Sequence, residues 1–339
     1  MNGTTAVRDT GRMDDRAAET PAAAWRREAV RPVLDAYAAC SVVDAVMLSG
    51  STARGDADRW SDVEVGVFWS RPPTAAERAG VAEAAGTEDL RMVTDEDVPP
   101  PWLDHLYLGA TRSDGLMVEV VHTLTSVVEH SLGTVIEHCR PDPPALDLLQ
   151  GIVDGTEVRG ARADLVADWK ARLATYPRRL ATAVILRDGA IEQFWRWRML
   201  VERDNPLLLS REFGRIASQV LGVLHALNGR YCGHPSAFKR LDTLERVLPR
   251  APRGLAARLR SAFRLPPPEG AAVLRQLVEE TYDLIEHHLP EVDVDRLRER
   301  FRSDRRPLDG LPGTAPTAAG RSMPHEAPTP RGAHTRLPR

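Results

Sequence analysis

The run VVDAVMLSGSTARGDADRWSDVEVGVF, residues 42–68, constrains the fold more than any other stretch of the chain. Val63, Val65 and Val67 fall on one face of a period-2 pattern, while Asp62, Glu64 and Gly66 fall on the other. Such a strand packs one face on a core and carries two carboxylates at adjacent positions on the opposite face. The preceding VVDAVML also reads as a strand and ends in Ser49-Gly50-Ser51, with the polar turn ARGDADRWS joining the two. Outward carboxylates are either a solvated surface or a clamp for a hard cation such as magnesium. The rest of the chain has to decide between these.

A chain of 339 residues with 42 % hydrophobic and 27 % charged residues has the composition of a soluble globular protein and room for two domains. The net charge of −3 at pH 7, with no basic stripe interleaved with aromatics, argues against a nucleic-acid partner. No apolar run reaches the roughly 18 residues of a membrane span, and the N-terminus lacks a signal pattern, so a cytoplasmic location is expected. Cys40, Cys139 and Cys232 are too few and too scattered for a disulfide framework. His138-Cys139 and the trio His225, Cys232 and His234 lack a recognised metal-ligand spacing, so packing or surface roles are expected for them. The basic residues are almost all arginine; the lysines are Lys170 and Lys239.

Residues 1–24 are expected to be a disordered lead and 302–339 a disordered tail, since neither has a periodic apolar face. Trp25, Val30, Val33, Leu34 and Tyr37 recur at helical spacing and predict one helix over 26–39. Thr74 is placed to cap a helix running from Glu77 to Ala85, EDLRMVT at 88–94 is ambiguous, and DHLYLGATRSDGLMVEVVHTL reads as two strands joined at Ser113-Asp114-Gly115. Residues 25–125 are thus a small mixed α/β unit. From 126 to 301 the periodicity is helical, with long segments at 178–203, 210–231, 236–248, 253–264 and 270–289, which predict a bundle of roughly five helices. The expected class is α+β: a small mixed-sheet domain followed by an all-helical one.

Three features of the α/β unit fit one chemistry. Gly50-Ser51 ends a buried strand, where glycine admits a phosphate to the backbone and serine adds a hydroxyl donor. Asp62 and Glu64 lie on the next strand. Glu119 sits in LMVEVVHTL, a run otherwise too apolar for a carboxylate, and a buried glutamate is costly unless paired, protonated or bound to metal. Pairing of later strands with the first two can bring Glu119 beside Asp62 and Glu64 on one sheet face. Three converging carboxylates would repel one another without a divalent ion, and with one or two magnesium ions they suit nucleotidyl transfer.

GSTARGDADRWSDVEVGVF resembles the signature of the nucleotidyltransferase superfamily that includes DNA polymerase beta and the antibiotic nucleotidyltransferases. The resemblance covers about residues 40–125, and the helical remainder is similar in layout to aminoglycoside and lincosamide nucleotidyltransferases. It implies that Gly50 and Ser51 hold the β- and γ-phosphates of ATP or another nucleoside triphosphate. It also implies that Asp62 and Glu64 carry magnesium, and that Glu119 is either a further metal ligand or the general base. The second acid is Glu where Asp is commoner. A Lys or Arg from the helical domain often reaches the triphosphate in this superfamily, which marks Lys239, with Tyr231 as a base or ribose contact.

The expected activity is magnesium-dependent transfer of a nucleoside monophosphate, AMP from ATP first, to a hydroxyl of a small molecule such as an aminoglycoside-like compound bound between the domains. Nucleotidylation of a protein, as by antitoxin-like members, is an alternative, and so is a non-catalytic sensor or partner-binding module of the same fold. Trp195 and Trp197 cannot share a helix face, so one belongs to the core and the other to a neighbour or the cleft. Glu202 and Asp204 would suit a cationic acceptor, or solvent.

Overall fold

The computed structural model describes residues 19–305 apart from 88, 95–96, 110–114 and 236–240. Its centre is a six-stranded mixed sheet in the order β3-β4-β5-β2-β1-β6. The strands are β1 (Val43–Ser49), β2 (Val63–Trp69), β3 (Asp89–Met92), β4 (Trp102–Leu108), β5 (Leu116–Leu124) and β6 (Thr156–Arg159). β2 and β5 run parallel, and every other neighbouring pair is antiparallel.

The alternation in the sequence sorts the two faces. Val63, Val65, Val67 and Trp69 of β2 join Leu106, Val118 and Val120 in one hydrophobic cluster with Val33, Leu34 and Tyr37. Those last three lie on α2 (Arg31–Ala39), which packs against β1 and against α4 (Ala75–Ala84). On the other face Ala45, Met47 and Phe68 belong to a larger cluster that continues through the helices. Phe68 meets the Trp169 ring edge-on at 5.0 Å between centroids.

Pro32 divides the predicted first helix. It has no N–H to continue a helix begun upstream, so α1 (Pro21–Ala29) stops at Val30 and α2 starts afresh with Pro32 in its first turn. α1 also reaches into the expected disordered lead, with the Thr20 side chain accepting from the Ala23 N–H; residues 1–18 lie outside the described residues. α3 (Gly50–Arg54) follows β1 directly. The Thr74 cap is realised as a full capping box with Glu77.

The sheet does not end with the α/β unit. After β5 come α5 (Thr125–Leu132), a π-helical turn (Gly133–Glu137) and α6 (Pro143–Asp154), and then β6 returns to the free edge of β1. β6 has four residues, too short to announce itself by alternation. The remaining helices are α7 (Asp164–Leu173), α8 (Arg178–Asp188), α9 (Phe194–Glu202), α10 (Pro206–Leu227), α11 (Leu244–Val247), α12 (Leu255–Ala262), α13 (Pro267–His288) and α14 (Val294–Arg302). The predicted 178–203 segment is therefore two helices, and the helical part is richer than five. The architecture is α+β, a mixed sheet followed by a helical bundle. No helix among the described residues is long and apolar enough to cross a membrane.

Candidate active site

Strand register assembles a row of four polar residues across one face of the sheet. Ser49 at the end of β1 stands opposite Glu64 of β2, Glu64 opposite Glu119 of β5, and Glu119 opposite His105 of β4. Register partners project to the same side of a sheet with Cβ atoms roughly 5 Å apart. Asp62 immediately precedes β2 and has the parity of Glu64, so it continues the acidic patch along the strand direction. Glu119 is 31 % exposed and His105 is 19 % exposed, with His105 Nε2 3.6 Å from Glu119 Oε2. The expectation of a deeply buried Glu119 is thus corrected. Its apolar neighbours Val118 and Val120 face the closed core, and the carboxylate itself lies on the open face beside an imidazole.

Gly50 and Ser51 meet this patch from the end of β1. Gly50 has φ +65, the left-handed region that favours glycine, and a Cβ there would lie 2.3 Å from the carboxylate carbon of Glu64. Both the backbone shape and the close approach of Glu64 therefore require glycine. Ser51 is 6 % exposed, and its hydroxyl has no hydrogen-bond partner; the fully buried Thr52 hydroxyl beside it has none either. Buried hydroxyls are ordinarily paired, and these two have hydrogen-bonding capacity that no protein group uses.

The turn that delivers Asp62 is held on both sides. Asp58 Oδ1 accepts from the Trp60 N–H at 2.8 Å and from the Ser61 hydroxyl at 3.2 Å. From α1, Arg26 Nε donates to the Ser61 carbonyl at 2.9 Å, and the Thr20 hydroxyl to the Ala57 carbonyl at 2.6 Å. Asp62 is thus placed by a fixed scaffold, the arrangement a precise site needs.

The sheet face that carries Glu64 forms one wall of a cleft of about 1130 Å³, with Asp62 and Glu119 outside its lining. Ser49, Glu64, Gly66 and Phe68 line the sheet side; Val127, His130, Thr134 and His138 come from α5 and the π-helical turn, and Asp147, Leu148 and Gly151 from α6. Concave, mostly apolar spaces of this order with a few convergent polar groups are where small molecules bind. Among the described residues no three His, Cys, Asp or Glu side chains converge closely enough to hold a metal ion. The acids share a face and a register without being drawn together on one point. As donors, carboxylate oxygens alone suit a hard divalent cation.

The two helical-domain candidates fare differently. Lys239 lies outside the described residues. Tyr231 is 3 % exposed, belongs to the helical core, and gives its hydroxyl to the Leu173 and Thr175 carbonyls, both at 3.3 Å. It does not line the cleft, and its ring lies 4.9 Å from that of Tyr176. Trp197 is core, while Trp195 lies under the Arg196 guanidinium and away from the cleft lining. His105, His130, His138 and Arg140 were not singled out for the site from sequence. The sequence did not place His105 there, since a hairpin closed at 113–115 would set it opposite Thr123, whereas the observed register sets it opposite Glu119.

Compared with solved structures, the chain is similar over 78 % of its length, and over 80 % of the other chain, to a nucleotidyltransferase-like protein from Exiguobacterium sibiricum 255-15, at 13 % identity and a TM-score of 0.37. At that distance the likeness carries no functional argument. No protein-family model and no curated protein matches the sequence.

Proposed function

We propose that the protein is a magnesium-dependent nucleotidyltransferase that moves AMP from ATP to a hydroxyl of a small molecule bound in the cleft. The observation that carries this reading is the register pairing of Glu64 with Glu119, with Asp62 on the same face and Gly50-Ser51 packed against Glu64. A solvated polar face would need neither a left-handed glycine pressed on a carboxylate nor a buried unpaired serine hydroxyl.

In this reading Gly50 lets the triphosphate approach the backbone, and the Ser51 hydroxyl donates to a phosphate oxygen. Asp62 and Glu64 would hold magnesium, with Glu119 as a further ligand or as the base. The ion, when bound, neutralises charge developing on the phosphates and orients the nucleotide for in-line attack. The acceptor oxygen attacks the α-phosphorus: an O–P bond forms, the bond to the β-phosphate oxygen breaks, and pyrophosphate leaves with that bond pair. The acceptor proton passes to the Glu119 carboxylate, and His105, 3.6 Å away, is positioned to relay it toward solvent. Half-exposure keeps Glu119 reachable for this role.

Calorimetric titration with a non-hydrolysable ATP analogue, with and without magnesium, tests the reading. The expected outcome is magnesium-dependent binding to the wild type that weakens at least about tenfold in Asp62→Ala, several kcal/mol of charge stabilisation being at stake. A wild type that binds no ATP, GTP, CTP or UTP analogue would sink it.

A further inference from the structure

The cleft has two chemically different ends. At one end α6 finishes beside α3: Arg54 Nη1 lies 3.8 Å from Asp154 Oδ2, and Gly151 shares the lining with Ser49 and Glu64. At the other end, around the start of α6, the lining holds His138, Arg140 and Pro141 together with the acids Asp142 and Asp147. α6 has 12 residues, a length of about 18 Å at ~1.5 Å per residue. Arg140 therefore stands most of a helix length from the Gly50-Ser51 end. A triphosphate seated on Gly50-Ser51 does not reach it.

The backbone around Arg140 is unusual in two independent ways. The chain leaves α5 through a π-helical turn, Gly133–Glu137, and Cys139 then adopts φ 52, a left-handed conformation rare for a non-glycine residue. The π turn keeps His130, Thr134 and His138 on the cleft side, and the reversal at Cys139 returns Arg140 to the same lining. Non-glycine strain of this kind costs on the order of one hydrogen bond and gathers where a side chain must be aimed.

These side chains face the cleft without acidic partners. Neighbouring arginines are engaged: Arg172 with Glu129, and Arg187 with Asp188 and the Pro141 carbonyl. Among the described residues no ion pair involves His130, His138 or Arg140. The two acids that share this lining have partners of their own. Asp142 caps α6 by accepting from the Ala145 N–H, and Asp147 accepts from the Gly233 and His234 N–H groups and pairs with the His234 ring. Between the two ends the walls are apolar, with Met47, Phe68, Val121, Val127, Leu148 and Pro101.

We infer that the acceptor is an amphipathic anion: a hydroxyl at the Glu64 end, next to Glu119 in the strand register, an apolar body along the middle of the cleft, and a carboxylate or phosphate held by Arg140 and His138. The inference rests on the nucleotidyl-transfer reading for where the hydroxyl lies. It disfavours a polycationic acceptor, which would leave the apolar walls unfilled. Arg140 is the main anion contact because its planar fork matches both headgroups; His130 and Thr134 line the path between.

The test uses the full chain without nucleotide and three probes of one length: ω-hydroxydodecanoate, its uncharged methyl ester, and ω-hydroxydodecyl phosphate. Calorimetry on the wild type is expected to give one or both anions about fivefold tighter binding than the ester, the size of one exposed ionic contact. The tighter of the two anions assigns the headgroup. Arg140→Ala should remove the discrimination and leave ester binding unchanged, Arg140→Lys should restore part of it, and a melting curve on each variant verifies folding. The ATP-analogue titration is run on the same variants and should match the wild type. Equal binding of anions and ester by the wild type, or discrimination that survives Arg140→Ala, overturns the inference while leaving the nucleotide reading to its own test at Asp62. Loss of ATP-analogue binding in Arg140→Ala also overturns it, by assigning that cation to the nucleotide.

Discussion

On the sheet face that packs against α2 and α4, Asp104 and His122 are completely buried and joined in one network. Arg78 Nη1 donates to Asp104 Oδ1 at 3.0 Å, Asp104 Oδ2 bonds His122 Nε2 at 3.0 Å, and the Trp69 indole N–H donates to His122 Nδ1 at 3.1 Å. One residue further along β4 and three back along β5, on the cleft face, His105 and Glu119 are half-exposed and 3.6 Å apart. The same strands thus supply both a closed polar core and an open polar row. Where polar groups are buried and mutually paired, they specify the packing of the fold. Where they lie partly exposed on a face that borders a cleft, they are available to a ligand; an unpaired buried hydroxyl is not itself the difference, since Tyr37 on the closed side has one too. Type of residue does not separate the two faces; each has a carboxylate beside an imidazole. Partnership and access do.

The sharpest way to break the comparison is to unbalance the closed face. Arg78→Ala leaves the Asp104 carboxylate buried beside a neutral imidazole, and removal of one partner of a buried ion pair costs about 3–5 kcal/mol. Chemical denaturation should show a loss of that size, with nucleotide-analogue binding to the protein that remains folded unchanged. A loss below about 1 kcal/mol would mean that the closed face is no more committed to stability than the open one.

The open face should respond in the opposite manner. Gly50→Ala forces a left-handed alanine, a cost of about 1–2 kcal/mol, and sets a methyl group 2.3 Å from the Glu64 carboxylate carbon. The side chain of Glu64 has to swing away. Denaturation should register only the modest backbone cost, while magnesium-dependent binding of the ATP analogue drops at least about tenfold. If binding survives, Glu64 is not held where the reading needs it, and the open row is a solvated surface after all.

The two faces were unequally legible in the sequence. Alternation in DVEVGVF and in LMVEVVHTL fixed which residues share a side, and those sides are observed for Glu64 and Glu119. His122 and Asp104 lie on the opposite side from the acids and were not read from the sequence, because what they meet comes from elsewhere, Arg78 from a helix and Trp69 from another strand. β6 was hidden because four residues carry too little period, and because it pairs with a strand more than 100 positions earlier in the chain. Lone residues suffered most. Tyr231 follows helical spacing whether it faces a cleft or a core, and only its hydroxyl bonds to α7 and the segment beyond it decide for the core. The aim of His138 and Arg140 depends on a π turn and a left-handed cysteine, which no periodicity encodes.

The smallest expected effect is a pH dependence confined to the closed face. His122 accepts at Nδ1 from the Trp69 indole, which has no acceptor role to exchange, so Nδ1 is unprotonated and Nε2 carries the hydrogen toward Asp104. Burial pushes the imidazole pKa down; Asp104 acts the other way, and Arg78 reinforces burial. A base whose folded pKa lies below its unfolded value stays neutral in the native state while the unfolded chain takes up a proton. Its contribution is therefore complete above the unfolded value of about 6.5 and declines as pH falls below it. His225, buried in α10 and depressed to about 4, adds a loss of the same sign between about 6.5 and 4. Melting temperatures of the wild type and His122→Gln, measured from pH 7.5 to 5 in steps of ~0.5, isolate the His122 share as the difference in slope. The wild type should fall more steeply. A wild type that falls less steeply than His122→Gln would mean that Asp104 keeps His122 protonated in the folded state, and the closed face would then hold an ion triad of Arg78, Asp104 and His122 in place of a neutral relay.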